Sequence, residues 1–264
     1  MFNRIRFKSD EDIELIKRSS LLVGKTLAEV AKHILPGVPL KFLDKIGEEF
    51  IRDHGGTPSF KGYEGFPSAL CLSLNDVVVH GIPNMTVLED GDILSVDCGV
   101  YMNGYHGDYA YTFAVGNISE DKRLLIERTK NSLYKGIDVA KVGNTTGHIG
   151  AAVQNYVEQF GYGVVRELCG HGIGKELHEK PDVCNYGRPG DGPRLQTGMV
   201  ICIEPMITMG KRKITCDHDG WTMRTADHKP AAHFEHQVAF TTHGTEILST
   251  YKYIAEVLGS EEKY

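Results

Sequence analysis

The sequence predicts an α+β fold made of two similar half-chains, roughly 1–117 and 118–264, whose sheets meet with helices outside. Two observations carry this expectation. Two helices followed by several strands occur twice along the chain, and no low-complexity linker parts the halves, so one domain is expected over 1–264. Letter-by-letter similarity between the halves is weak, and the expectation rests on element order.

In the first half, Ser9 precedes a run with Asp and Glu in its opening turn, and Pro36-Gly37 stops it, which predicts a capped helix reaching Ile34. KFLDKIGEEFIRDHGG, from Lys41, predicts a second helix with Phe42, Ile46 and Phe50 as its apolar stripe. ALCLSL and VVVHGIP read as extended pieces. They lead into SVDCGVYMNGYHGDYAYTFAVG, where Asn103-Gly104 is the strongest short hairpin signal. In the second half, Ser119 opens one helix, and TTGHIGAAVQNYVEQFG predicts another with Ile149, Val153, Tyr156, Val157 and Phe160 on a stripe. GVVRELC, MVICIEPMI and HFEHQVAFT follow as strands.

Composition narrows the function. A chain of 264 residues, 41% hydrophobic, is large enough for a sizeable core, and a net charge of −6 argues against general nucleic-acid binding. Lys211-Arg212-Lys213 after Gly210 reads as a solvated turn. The amino terminus shows no apolar signal region, and no apolar run reaches membrane-spanning length. Six cysteines without a CxxC pair fit reduced thiols in the cytosol.

The carboxylates carry the chemistry. If Asn103 and Gly104 form the turn, Asp97 faces Ala110 and Asp108 faces Gly99, so both acids share one face as diagonal neighbours, about 7 Å apart or somewhat less. Like charges so placed repel unless a cation lies between them. The second half puts Glu204 inside the apolar MVICIEPMI. In HFEHQVAFT, alternation sets His233, Glu235 and Gln237 on one face. If the halves pack sheet on sheet, four acids converge, and these strands hold no matching Lys or Arg. Metal is the economical partner. His171 and His178 in LCGHGIGKELHEK, and His80 in VVVHGIP, offer imidazole. His33, His54, His148, His218, His228, His236 and His243 read as packing or surface residues, with His106 and His233 undecided. Oxygen-rich donors with one imidazole suit Mn, Fe or Co, with Zn admissible, and four carboxylates suit a pair of divalent ions. HExxH and GxSxG are absent.

Asp97, Asp108, His171 in GHGIG, Glu204 in IEP and Glu235 in FEH, in that order, resemble the five-ligand set of type I methionine aminopeptidases. VVVHGIP, DGDILSVDCG, GYHGD, GHGIGKELHE and TGMVICIEPMI match family motifs over nearly the whole chain. The stretch between His178 and Glu204 is too short for the insertion of type II enzymes, and no zinc-finger-like extension precedes the first helix. The resemblance implies the pita-bread fold, with pseudo-twofold halves and antiparallel sheets around the metals. It implies that Asp97, Asp108 and Glu235 bridge or chelate two ions, with His171 and Glu204 completing the set. Metal-activated hydroxide would attack the carbonyl of an N-terminal methionine, and Glu204 would shuttle its proton. His178 would donate to the carbonyl oxygen and His80 would hold the peptide near the scissile amide. Tyr63, Phe66, Cys71 and Trp221 sit where the family lines its methionine pocket. Leu177 stands where an aromatic is usual, Phe60 where a smaller residue is, Tyr109 where Thr is common, and His233 where Gln is common. Implied too are a small residue after the methionine, nascent chains as substrate and, through that substrate class, a ribosome-proximal place; the cytoplasm follows from the cysteine usage, and a monomer is the default expectation. A proline-directed relative usually carries an extra N-terminal domain, for which there is no room before the first helix pair. A silent binding module would have lost ligands that this chain retains.

Overall fold

Ser9 caps α1 (Asp10–Ala31) with a reciprocal box: its hydroxyl accepts the Asp12 N–H at 3.2 Å, and the Asp12 carboxylate accepts the Ser9 N–H at 2.9 Å. The computed structural model describes residues 4–260. α1 ends at Ala31, three residues before the predicted Ile34, because the Lys32 to Ile34 amides turn back to the Glu29, Val30 and Ala31 carbonyls. α2 (Leu40–Asp53) forms as expected, but its inner face is Leu43, Gly47 and Ile51. Phe42 is exposed, and Ile46 and Phe50 pack only on the flank. Gly47 decides the rotation, since a Cβ there would sit 2.6 Å from Leu70, and Asp44 turns inward to accept the Ala69 and Leu70 amides.

The 95–116 segment folds into the predicted hairpin. Strands Ile93–Met102 and Tyr105–Ala114 pair in the expected register, Asp97 with Ala110 and Gly99 with Asp108. Both turn residues, Asn103 and Gly104, have positive φ, as the hairpin turn demands. The free edge of Ile93–Met102 takes Leu70–Leu74, which sets Cys71 opposite Asp97. α1 lies directly on the hairpin at Gly107, where an added Cβ would meet the Ser20 nitrogen at 2.3 Å. Gly107→Ala therefore forces backbone from backbone. The expected cost is about 3 kcal/mol, and the fall in Tm, roughly 6–12 °C, is read by calorimetry.

The second half repeats the plan with α3 (Glu120–Val139) and α4 (Thr146–Glu158), capped by Ser119 and Thr145. Ile149, Val153 and Val157 are buried as predicted, while Phe160 lies beyond the helix. A five-stranded antiparallel sheet runs in the order Gly244–Ile247, His236–Thr241, Val200–Ile203, Gly170–Gly172, Glu179–Val183. A three-stranded sheet joins Ala231–His233, Met206–Thr208 and Gly163–Val164. Only Gly163–Val164 of the predicted GVVRELC strand forms, with Arg166 and Glu167 exposed beyond it.

Two predicted strands are each broken in two. MVICIEPMI splits into Val200–Ile203 and Met206–Thr208, and HFEHQVAFT into the end of Ala231–His233 and His236–Thr241. Glu204 and Glu235 thus lie at breaks, where the chain leaves one sheet for the other, and Pro205 lacks the N–H that would continue the ladder. Strand Val77–Val79 of the first half pairs with Met223–Thr225 of the second, tying the halves together. The final helix, α5 (Lys252–Leu258), packs on α1. Among the described residues no helix is long and apolar enough to cross a membrane.

Candidate metal centre

Every residue given a metal-holding, catalytic or pocket role lines one cavity of about 350 Å³: Asp97, Asp108, His171, Glu204 and Glu235, with His80 and His178, and the apolar Tyr63, Phe66, Cys71 and Trp221. The breaks between sheets aim the second-half acids at the hairpin face that carries the two aspartates. Oxygen or nitrogen atoms of Asp97, Asp108 and Glu235 lie within 4.8 Å of one another, as do those of Glu204, His233 and Glu235. His171 Nε2 is 3.9 Å from Asp108 and 3.7 Å from Glu204. Glu235 is common to the donor groups.

Backbone contacts hold this convergence. The Tyr251 hydroxyl accepts the Glu235 N–H at 3.1 Å and lies 2.8 and 2.7 Å from the Ala110 and Glu235 carbonyls, so it fastens Glu235 to the hairpin residue opposite Asp97. Thr112 Oγ1 donates to the His233 carbonyl and accepts its N–H. Buried Asn185 donates to the Glu204 carbonyl at 2.9 Å. The loop that carries His178 is anchored by buried Lys8, whose Nζ is 2.7 Å from Glu179.

The electrostatics are unfavourable for protein groups alone. Burial, followed by the charges of Glu235, Asp97 and Glu204, pushes the Asp108 carboxyl well above the usual carboxylate range. Glu235 is raised by burial and then by Glu204 and Asp97, Glu204 by burial and Asp97, and Asp97 by burial. Burial lowers His171 to about 3, so its ring is neutral. Its Nδ1 lies 2.9 Å from the Gly172 carbonyl and can only donate there, which leaves the Nε2 lone pair facing two carboxylates. Asp97 Oδ1, Asp108 Oδ1 and Glu235 Oε1 are buried without a hydrogen-bond partner. Orphaned acceptors, a lone pair aimed at carboxylates and acids crowded together fit a cationic group, and the oxygen-rich donor set fits hard divalent ions.

The rim is also ordered. The Tyr63 hydroxyl lies 2.8 Å from His178 Nδ1, and burial raises the phenol's pKa, so it keeps a proton that it can donate there. His178 then carries its own proton on Nε2. His80 has φ +57, a left-handed conformation rare outside glycine and common at functional sites. Burial lowers its pKa to about 4, which makes it a neutral imidazole. Of the four departures from the family pattern, Phe60, Leu177 and His233 line the same cavity, Phe60 and Leu177 packing in one cluster with Phe66 and Cys71, whereas Tyr109 is buried outside it and donates to the Thr250 carbonyl at 3.0 Å.

Three residues of the centre escaped the sequence reading. His233, left undecided, approaches Glu204 at 3.7 Å, and its alternation with Glu235 was the available signal. Cys202 is a buried thiol kept neutral by burial and the Glu235 charge, with its sulfur within 4.8 Å of a Glu235 oxygen, and Tyr251 sits far from every motif; no local pattern marks either.

A convergence of acids and a neutral imidazole between two half-chain sheets is a candidate metal centre, and comparison supplies the class of protein that carries it. Residues 14–242 match the model of metallopeptidase family M24, to which the chain belongs. It is 49% identical to a methionine aminopeptidase of Clostridium perfringens over 94% of this chain and 100% of that one. It is 48% identical to methionine aminopeptidase 1 of Bacillus subtilis over 92% and 98% of the respective chains. The crystal structure of methionine aminopeptidase from Rickettsia prowazekii superposes with a TM-score of 0.92 at 38% identity, covering 94% of this chain and 100% of that one. Within the family, the chain is therefore a member of the methionine aminopeptidases, with their pita-bread fold.

Proposed function

We propose that the chain hydrolyses the first peptide bond of polypeptides that begin with methionine followed by a small residue. The observation that carries this is the meeting of five donors, Asp97, Asp108, His171, Glu204 and Glu235, with an apolar cavity wall of Tyr63, Phe66, Cys71 and Trp221. Its volume, about 350 Å³, suits one apolar side chain with the amide beside the acids. Similarity to methionine aminopeptidases over nearly the whole chain supports the same reading.

Those five donors would hold a pair of divalent ions, Mn, Fe or Co in preference to Zn, and when bound the ions polarise the scissile carbonyl and make water nucleophilic at neutral pH. The remaining work falls to the chain. Glu204, with its carboxyl raised by burial and then by the Asp97 charge, takes a proton from water at one oxygen and returns it to the departing amine. His178 donates from Nε2 to the carbonyl oxygen as charge develops there, in the orientation that Tyr63 imposes. His80, neutral and held by its strained backbone, hydrogen-bonds the amide beside the reacting bond. Trp221 and Phe66, in edge contact at 5.2 Å, close the apolar wall and exclude water. Nascent chains in the cytoplasm, met by a monomer near the ribosome, are the substrate setting this reading implies.

Three peptides test it with manganese-loaded protein: Met-Ala-Ser, Met-Trp-Ser and Ala-Ala-Ser. Free methionine is expected from the first, at least about tenfold more slowly from the second, and no alanine from the third. Equal cleavage of Ala-Ala-Ser, or no methionine with any divalent ion, sinks the reading.

A further inference from the structure

Strands Gly170–Gly172 and Glu179–Val183 pair with Gly170 opposite Val183 and His171 opposite Asp182. One step further out, the same register sets Cys169 opposite Cys184. The two thiols are close enough to perturb each other's titration, and Tyr186 acts on Cys184 as well. Directly opposed residues of an antiparallel pair have Cα atoms about 4.5–5.5 Å apart. That lies inside the roughly 4.4–6.8 Å a disulfide spans. Both side chains are half-buried, within reach of a small oxidant. Cys71 and Cys98 also lie on neighbouring strands, but Cys71 faces Asp97 rather than Cys98, and both are buried. Cys202 is buried, and Cys216 is exposed on a different sheet.

Position gives the pair a consequence. Cys169 lines the catalytic cavity and also the groove beside it, which shares Tyr63, His171 and His178. It precedes the ligand His171 by two residues. We propose that Cys169 and Cys184 are a redox-sensitive dithiol whose reversible disulfide slows the neighbouring site. The effect on turnover rests on the proposed function, whereas the bond itself does not.

The oxidant is a small-molecule disulfide of the glutathione class. The Cys184 sulfur attacks one of its sulfur atoms, and the departing small thiolate takes up the Cys184 proton. The Cys169 sulfur then attacks Cys184 in the mixed disulfide, and a second small thiol leaves with the Cys169 proton. One disulfide is consumed and one formed, so two electrons pass from the protein to the oxidant. An S–S bond of about 2.05 Å replaces the contact between two free thiols. It pins the Cys169 side chain, which lines the cavity, to Cys184, and any adjustment of the ladder falls on the strand that carries His171 two residues on. A displacement near 1 Å at such a site can cost about 10²-fold in rate.

The test incubates manganese-loaded protein with glutathione disulfide, maps the cross-linked peptides by mass spectrometry, and measures methionine release before and after dithiothreitol. The expected result is a linked Cys169–Cys184 peptide, a loss of at least about tenfold in turnover, and recovery on reduction. Cys184→Ser should keep its basal turnover, form no link and resist the oxidant. Failure of the link to form while exposed Cys216 becomes modified overturns the proposal. So does a complete link with unchanged turnover, or equal inhibition of Cys184→Ser. Protein that releases no methionine even when fully reduced refutes the functional reading instead, and peptide mapping still decides the bond.

Discussion

Asp108→Asn removes methionine release, by roughly 10³-fold or more, and at the same time raises the Tm of the metal-free protein. The first effect follows from the position of Asp108 in the cluster of acids, 3.9 Å from His171, where it is needed to hold divalent charge. Loss of that charge forfeits several kcal/mol of transition-state stabilisation, each factor of ten being about 1.4 kcal/mol. The second effect has the opposite sign because, without a cation, Asp108 is a buried acid surrounded by Glu235, Asp97 and Glu204. Asparagine keeps the shape and removes the repulsion. A gain near 1 kcal/mol raises Tm by about 2–4 °C in a chain of this size. A merely structural aspartate would lose stability when replaced. The pH dependence follows in sign. Carboxyls whose folded pKa values are raised favour the metal-free fold at pH below their unfolded values, and that contribution is lost as pH rises through the raised values. The rise in Tm brought by Mn²⁺ in the unmodified protein should therefore be larger at about pH 7.5 than at about pH 5. Calorimetry at both values, with and without the ion, reads all of these signs.

His178→Ala lowers kcat by about 10²–10³-fold and leaves manganese content and KM near their original values. His178 touches no buried carboxylate; it stands at the exposed rim with Nδ1 against Tyr63. Its proton on Nε2 is useful only when negative charge grows on the carbonyl oxygen, so its loss falls on kcat. Tyr63→Phe removes the donor that fixes this tautomer and should lower kcat in the same direction by about tenfold, within the range for partners that orient a reacting group. A fall in metal content in either variant would move His178 into the metal-holding set and out of its role as donor to the carbonyl oxygen.

Much of this was legible in the sequence, for a local reason. Asn103-Gly104 permits two consecutive positive φ values, and that alone sets which face Asp97 and Asp108 share. Ser9 and Asp12 announce the start of α1 in the same local way. What was misread depends on tertiary contact. The alternation around Glu204 and Glu235 continues in the letters, while the chain changes sheets at both points. The stripe assigned to α2 has the right period and the wrong phase, because Gly47 presses on Leu70 where a hydrophobic pattern registers nothing. Tyr251 fastens Glu235 to Ala110 across a separation in sequence that no motif spans.

On this reading the hairpin aspartates and the second-half donors form one cradle for a pair of ions. Anomalous diffraction from crystals of manganese-soaked protein tests it most directly. Two manganese peaks bounded by Asp97, Asp108, His171, Glu204 and Glu235 are predicted. Manganese bound elsewhere while this cluster stays empty would contradict the cradle and the mechanism built on it.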